Sequence, residues 1–316
     1  MDIFYIIAGL VLVLLGAHLL TEGAAATAEK FGVSQFIIGL TIVSIGTSAP
    51  EFVVSLSAAI KGNADMAVGN VVGSNIFNVF VILGICTAIS PLALTKHNVK
   101  ADIPFALAAS LLLFVFASDR LLHFGAVDRI NRVEGAIMFL LYITLMIYTI
   151  RTSKEDRQQT EQPRMGMKKA VIFIAAGLAA LIGGSEMFVD GAQELAKRMH
   201  ISESLIAITL VSVGTSLPEL ATSLAAVIKR QKGMALGNVL GSNIFNILFI
   251  LGGCAIITPL SPAGITTLDL GMVVMSALLP LIFAVTFNGR KINRIEGIIL
   301  LLLYALYMRN LLMNQA

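Results

Sequence analysis

Charge is scarce in this chain. Asp, Glu, Lys and Arg make up 13% of its 316 residues, while hydrophobic residues make up 57%. A soluble domain of this length needs a charged exterior around its core, and this composition is too poor in charge to build one. Cysteine is also sparse. Cys86 and Cys254 stand alone, with no metal-type spacing, and read as small apolar packing residues. The opening run MDIFYIIAGLVLVLLGAHLL lacks the basic start and cleavage site of a signal peptide, so it reads as an uncleaved first span. No P-loop is present, so no ATP-driven pump mechanism is implied. The spans lack the Asp dyad, Ser/His set or metal triad of an intramembrane hydrolase, so the chain is not expected to be an enzyme. Its net charge of +3 is scattered over short connections, which excludes a nucleic-acid partner.

What the chain has in abundance is apolar runs of about 20 residues, the length that crosses a hydrocarbon layer of roughly 30 Å. Such runs are too long for barrel strands, and backbone groups in lipid must bond within their own segment, so helices are expected. Ten spans can be drawn, at about 3–25, 34–60, 66–90, 102–118, 133–150, 170–191, 202–228, 234–258, 268–286 and 294–313. The polar stretch RTSKEDRQQTEQPRMGMKK, residues 151–169, reads as a linker between them.

An internal repeat organises these spans. Residues 44–92 and 212–260 align without a gap at an offset of 168, with 29 of 49 positions identical. The hexapeptides INRVEG (residues 130–135) and INRIEG (292–297) also match. Residues 1–150 therefore form one five-span repeat and residues 170–316 a second. Because five is odd, the second must enter the membrane from the opposite side. The expected fold is all-α, a polytopic membrane protein of ten transmembrane helices in two inverted five-helix repeats. With both termini outside, the cytoplasmic connections hold 15 of the 22 Lys and Arg residues, as the positive-inside rule requires. The expected location is the cell membrane, with the linker on the cytoplasmic side.

Polar chemistry interrupts the spans at matching places. GTSAPE (residues 46–51) and GTSLPE (214–219) lie within spans two and seven. Pro50 and Pro218 lack an N–H and push open the preceding turn, freeing carbonyls at membrane depth. At helical spacing, Thr47 and Ser48 fall near the face of Glu51, and Thr215 and Ser216 near that of Glu219. The following spans carry GNVVGSNIFN (69–78) and GNVLGSNIFN (237–246), placing Ser74 with Asn78 and Ser242 with Asn246 on shared faces. Their glycines, at four-residue spacing, let helices approach closely. Carboxylate, amide, hydroxyl and carbonyl oxygens are hard donors that suit calcium, which takes six to eight oxygens at about 2.3–2.6 Å. Two carboxylates balance one Ca²⁺ or most of a group of Na⁺ ions. The residues alone reach a cation transporter.

The paired GTSxPE and GNxxGSNIFN motifs, in register over the whole chain, resemble the α-repeats of the prokaryotic Na⁺/Ca²⁺ exchanger branch of the cation/calcium antiporter superfamily. That resemblance implies an ion site built from twelve positions. These are Ser44 (through its carbonyl), Thr47, Ser48, Glu51, Ser74 and Asn78, then Ser212, Thr215, Ser216, Glu219, Ser242 and Asn246. It implies Ca²⁺ and Na⁺ as transported ions, exchanged at about three Na⁺ per Ca²⁺ by alternating access. It also implies no cofactor, and no obligate protein partner beyond the lipid bilayer. Some exchangers of this type carry Asp in place of Asn246, so only two formal charges stand among the twelve here. H⁺/Ca²⁺ or K⁺-dependent exchange at the same residues remains the alternative.

Other polar residues are expected to serve structure. His18 and Glu186 sit toward span ends as anchoring or gating contacts, and Glu22 and Asp190 are interfacial. Arg132 with Glu134, and Arg294 with Glu296, mark span starts facing water.

Overall fold

The computed structural model describes residues 2–122, 127–152, 165–198, 212–261, 263–286 and 290–315. The chain is a mostly helical membrane protein. Its helices are α1 (Asp2–Phe31), α2 (Gln35–Thr47), α3 (Ala49–Ile60), α4 (Ala64–Ile89), α5 (Asn98–Phe116), α6 (Arg132–Thr152) and α7 (Met167–Arg198). They continue with α8 (Ser212–Thr215), α9 (Leu217–Ile228), α10 (Lys232–Ile257), α11 (Thr267–Thr286) and α12 (Arg294–Gln315). Among the described residues, eight helices are long and apolar enough to span a bilayer, and the bent pair α2–α3 makes a ninth span. The tenth expected span, 202–228, lies partly outside the described residues, which hold its end as α9. Most of the expected linker, residues 153–164, also lies outside them.

Two features escape any hydrophobic pattern. The helices loosen into π-helical turns at Gly39–Val43, Asn78–Leu83 and Phe245–Leu251. A two-residue antiparallel pair, β1 (Leu92–Ala93) with β2 (Lys291–Ile292), also joins connections far apart in sequence.

The chain divides into two compact units, and neither is a sequence half. One comprises Met1–Glu51 and Met146–Gly241, the other Phe52–Leu145 and Ser242–Ala316. Each unit thus takes a piece of both repeats.

In the first unit, α1 and α7 pack antiparallel along a glycine seam. A Cβ added at Gly9 would stand 2.6 Å from the Gly184 carbonyl oxygen, and one at Gly16 would stand 2.7 Å from that of Gly177. Gly177 and Gly184 are the repeat counterparts of Gly9 and Gly16, so the seam is its own mirror image. Lipid removes the hydrophobic drive between helices, and close backbone approach supplies association instead. Away from the seam, Ile3, Phe4, Ile7, Leu10, Val11 and Leu14 of α1 are exposed, as a lipid-facing surface requires. Gly237 and Gly241 set α10 against α2 in the same way: a Cβ at Gly241 would meet the Leu40 carbonyl oxygen at 2.6 Å. Lys229, at the end of α9, ties back to α1. Its Nζ lies 2.9 Å from a Glu22 carboxylate oxygen and donates to the Thr21 hydroxyl and the His18 carbonyl.

In the second unit, the two INRxEG hexapeptides act as hooks. Ile292 pairs with Leu92, and Ile130 exchanges backbone hydrogen bonds with Leu260. Arg294 donates to the Ile89 carbonyl at the end of α4, and Arg132 to the Ile257 carbonyl at the end of α10. These are the helix-end acceptors that need an outside donor. Gly297 packs on Gly84, and Gly135 on Gly252. Each hook therefore seizes the end of the other repeat. The expectation that both glutamates face water holds for neither as a simple surface charge. Glu134 is half-buried and caps its own helix, accepting from Asn131 N–H at 2.8 Å while Asn131 Oδ1 accepts from the N–H groups of Val133 and Glu134. Glu296 is 1% exposed and accepts from Asn293 N–H at 2.5 Å. The cap explains the correction, because a carboxylate folded back onto its helix start leaves water behind. Cys86 and Cys254 are free and buried, as expected.

Candidate cation site

Both GTSxPE motifs break their helix at the serine. Ser48 has φ −83° and ψ 12°, and Ser216 has φ −89° and ψ 5°. These values lie in the sparsely populated bridge region, where functional residues recur. Proline follows two positions later at a helix start, the one helical place that tolerates a missing N–H. The break bends α2 against α3 by 48°. Glu51 and Glu219 consequently fall in the first turns of α3 and α9. There the helix dipole favours their negative charge.

Glu51 and Glu219 both have zero exposure and belong to the first unit. Their partners are exchanged between repeats. Ser48 Oγ donates to Glu219 Oε1 at 2.7 Å, and Ser216 Oγ donates to Glu51 Oε1 at 3.1 Å. Uninterrupted helical spacing had put each serine near the glutamate three residues on. The break turns the serine away from its own helix, and it meets the other repeat's carboxylate instead. Thr47 Oγ1 donates to Asn238 Oδ1 at 3.2 Å, and Asn238 Nδ2 in turn donates to Ser223 Oγ at 2.9 Å. The Ser44 carbonyl accepts from Ser48 N–H at 3.0 Å and the Ser44 hydroxyl from none of these, donating to Leu40 O at 2.7 Å. Thr215 is half-buried. Ser212 opens α8, and its side chain lies outside the described set.

The second unit holds the other four expected residues: Ser74, Asn78, Ser242 and Asn246, all with zero exposure. Asn78 and Asn246 are joined by two asparagines that the sequence reading did not single out. Asn78 Nδ2 donates to Asn243 Oδ1 at 3.0 Å, and Asn246 Nδ2 donates to Asn75 Oδ1 at 3.1 Å. Asn75 and Asn243 each donate to the other's backbone carbonyl at 3.2 Å. The Oδ1 atoms of Asn78 and Asn246 are buried and have no hydrogen-bond partner among the described residues. An amide oxygen left open in a dry interior is an available acceptor for a cation. The sequence signal for Asn75, Asn243 and Asn238 was identity between the repeats, which marked them as strongly as it marked Asn78 and Asn246.

Among the described residues, no group of three or more His, Cys, Asp or Glu could hold a metal. The first unit offers two buried carboxylates, Glu51 and Glu219, among neutral oxygens. Such a set suits a hard cation and gives no foothold to a soft one.

A sodium/calcium exchanger family model matches residues 1–151 and 169–313, nearly the whole chain. The chain belongs to the sodium/calcium exchanger family. It is 38% identical over 315 residues to the antiporter CaxA of Alkalimonas amylolytica, covering 96% of each. It is 33% identical over 336 residues to the sodium/calcium exchanger MaX1 of Methanosarcina acetivorans, covering 95% of each. The solved structure of the sodium-calcium exchanger NCX_Mj superposes with a TM-score of 0.85 at 31% identity, over 98% of this chain and 97% of that one. That exchanger's structure was determined after soaking with Na⁺ and Ca²⁺.

Proposed function

We propose that this exchanger carries Na⁺ and Ca²⁺ in opposite directions across a cell membrane, with both termini on the outer side. The observation that carries the reading is the buried pair Glu51 and Glu219, each taking a serine hydroxyl from the other repeat. A carboxylate without water needs a counter-charge, and intramembrane carboxylates mark ion pathways by default. Two of them offer −2, which matches one Ca²⁺. Thr47, Ser48, Thr215 and Ser216 with the Ser44 carbonyl and Ser212 are the neutral donors of their unit. Ser74, Asn78, Ser242 and Asn246 are the neutral oxygen donors of the second unit.

Sodium and calcium compete for these oxygens, so release of one accompanies capture of the other, and access alternates around a fixed site. About three Na⁺ against one Ca²⁺ would move net charge each cycle, driven by the sodium gradient and the membrane potential. Proteoliposomes loaded with Na⁺ and diluted into Na⁺-free medium are expected to take up ⁴⁵Ca²⁺, faster when a valinomycin-clamped potential is inside-positive, because three Na⁺ leaving against one Ca²⁺ entering carries one net positive charge outward. Uptake driven only by an imposed H⁺ gradient, or only with K⁺ present, would replace this reading with proton-coupled or potassium-dependent exchange.

A further inference from the structure

We infer that Asn75 and Asn243 are positioning residues that fix which atom of Asn246 and Asn78 is presented to the cation. An amide side chain can turn either its oxygen or its nitrogen outward, and only the oxygen can hold a cation. Here the choice is made by a relay that starts on the backbone. A main-chain carbonyl accepts and cannot donate, so the Asn243 carbonyl requires Nδ2 of Asn75, and the Asn75 carbonyl requires Nδ2 of Asn243. With each nitrogen committed, each Oδ1 faces the next asparagine. That oxygen requires Nδ2 of Asn246 in one case and Nδ2 of Asn78 in the other. The Oδ1 atoms of Asn246 and Asn78 are then left buried and open. No step of the relay can be inverted without setting oxygen against oxygen. All four side chains are buried, Asn243 at 6% exposure and the other three at zero, so water competes little for these bonds. The coupling is crossed between repeats: Asn75 serves Asn246, and Asn243 serves Asn78.

This inference rests on the proposed exchange of Na⁺ for Ca²⁺, and the crossed pattern gives it a separate test. Half-saturating Ca²⁺ is measured for Na⁺-driven uptake by the full-length protein in proteoliposomes, for single and double variants. Asn75→Leu is expected to raise it about tenfold in the wild-type background and in Asn78→Ala, yet less than about twofold in Asn246→Ala. Asn243→Leu should show the opposite dependence. Asn75→Ala and Asn243→Ala provide a second, smaller pair if leucine prevents folding. Equal losses in both backgrounds would overturn the inference, as would loss of folded protein in all four of these variants, since the pair would then serve stability alone. A wild type that exchanges no Na⁺ for Ca²⁺ would instead refute the reading beneath it.

Discussion

Ser48 hydrogen-bonds the carboxylate of Glu219, 171 positions away, across a distance of 2.7 Å. Ser216 returns the arrangement to Glu51. Each carboxylate therefore takes a serine hydroxyl from the repeat that did not supply it. Disturbing one motif should be felt by the glutamate of the other.

The first prediction concerns those glutamates. Glu51→Gln and Glu219→Gln each keep the size and the acceptor for the serine but remove one of two negative charges. Calcium uptake is expected to fall at least about 100-fold in each, because a close charge on a desolvated cation contributes several kcal/mol. The purified variants should still elute as folded protein. Near-normal ⁴⁵Ca²⁺ uptake by either one would remove that carboxylate from the site.

Glycines on α7 provide an internal comparison. A Cβ at Gly177 would lie 2.6 Å from Leu20 N, whereas one at Gly183 would meet nothing within 4 Å. Alanine gains roughly 1 kcal/mol over glycine in a helix interior. At Gly177 that gain is outweighed by overpacking of about 1–3 kcal/mol. Thermal melts in detergent should therefore show Gly177→Ala lowered and Gly183→Ala unchanged or raised. The opposite order would mean that the α1–α7 seam is not held by close approach.

The two capping glutamates should differ in weight. Glu296→Ala strips a buried helix start of its acceptor and is expected to cost about 1–2 kcal/mol. Glu134→Ala, at a half-buried position, should cost less. Paired melting curves would decide, and equal costs would show that burial adds nothing to the cap.

Much of this was legible in advance. Long apolar runs revealed the helices, the offset of 168 revealed the repeat, and proline beside glutamate revealed where the spans break. Local spacing failed at partner choice. It treated Ser48 and Glu51 as neighbours on one helix, and a backbone excursion at a single residue redirected the hydroxyl to the other repeat. It also treated Glu296 as a surface charge, since no pattern of apolar residues announces a side chain that folds back on its own helix. Asn75 was written in the same motif as Asn78, but its partners lie about 170 positions away, beyond any local periodicity.

The hooks of the second unit bear on how the protein is made. Leu92 cannot meet Ile292 until 200 further residues have left the ribosome. At about 5–20 residues per second, that is a wait of roughly 10–40 s. Through this interval the early segment sits in the bilayer with its backbone partner unsynthesised. Biogenesis must therefore keep the nascent first repeat open to receive the second, so that assembly ends as a mutual clasp rather than as two finished domains docking.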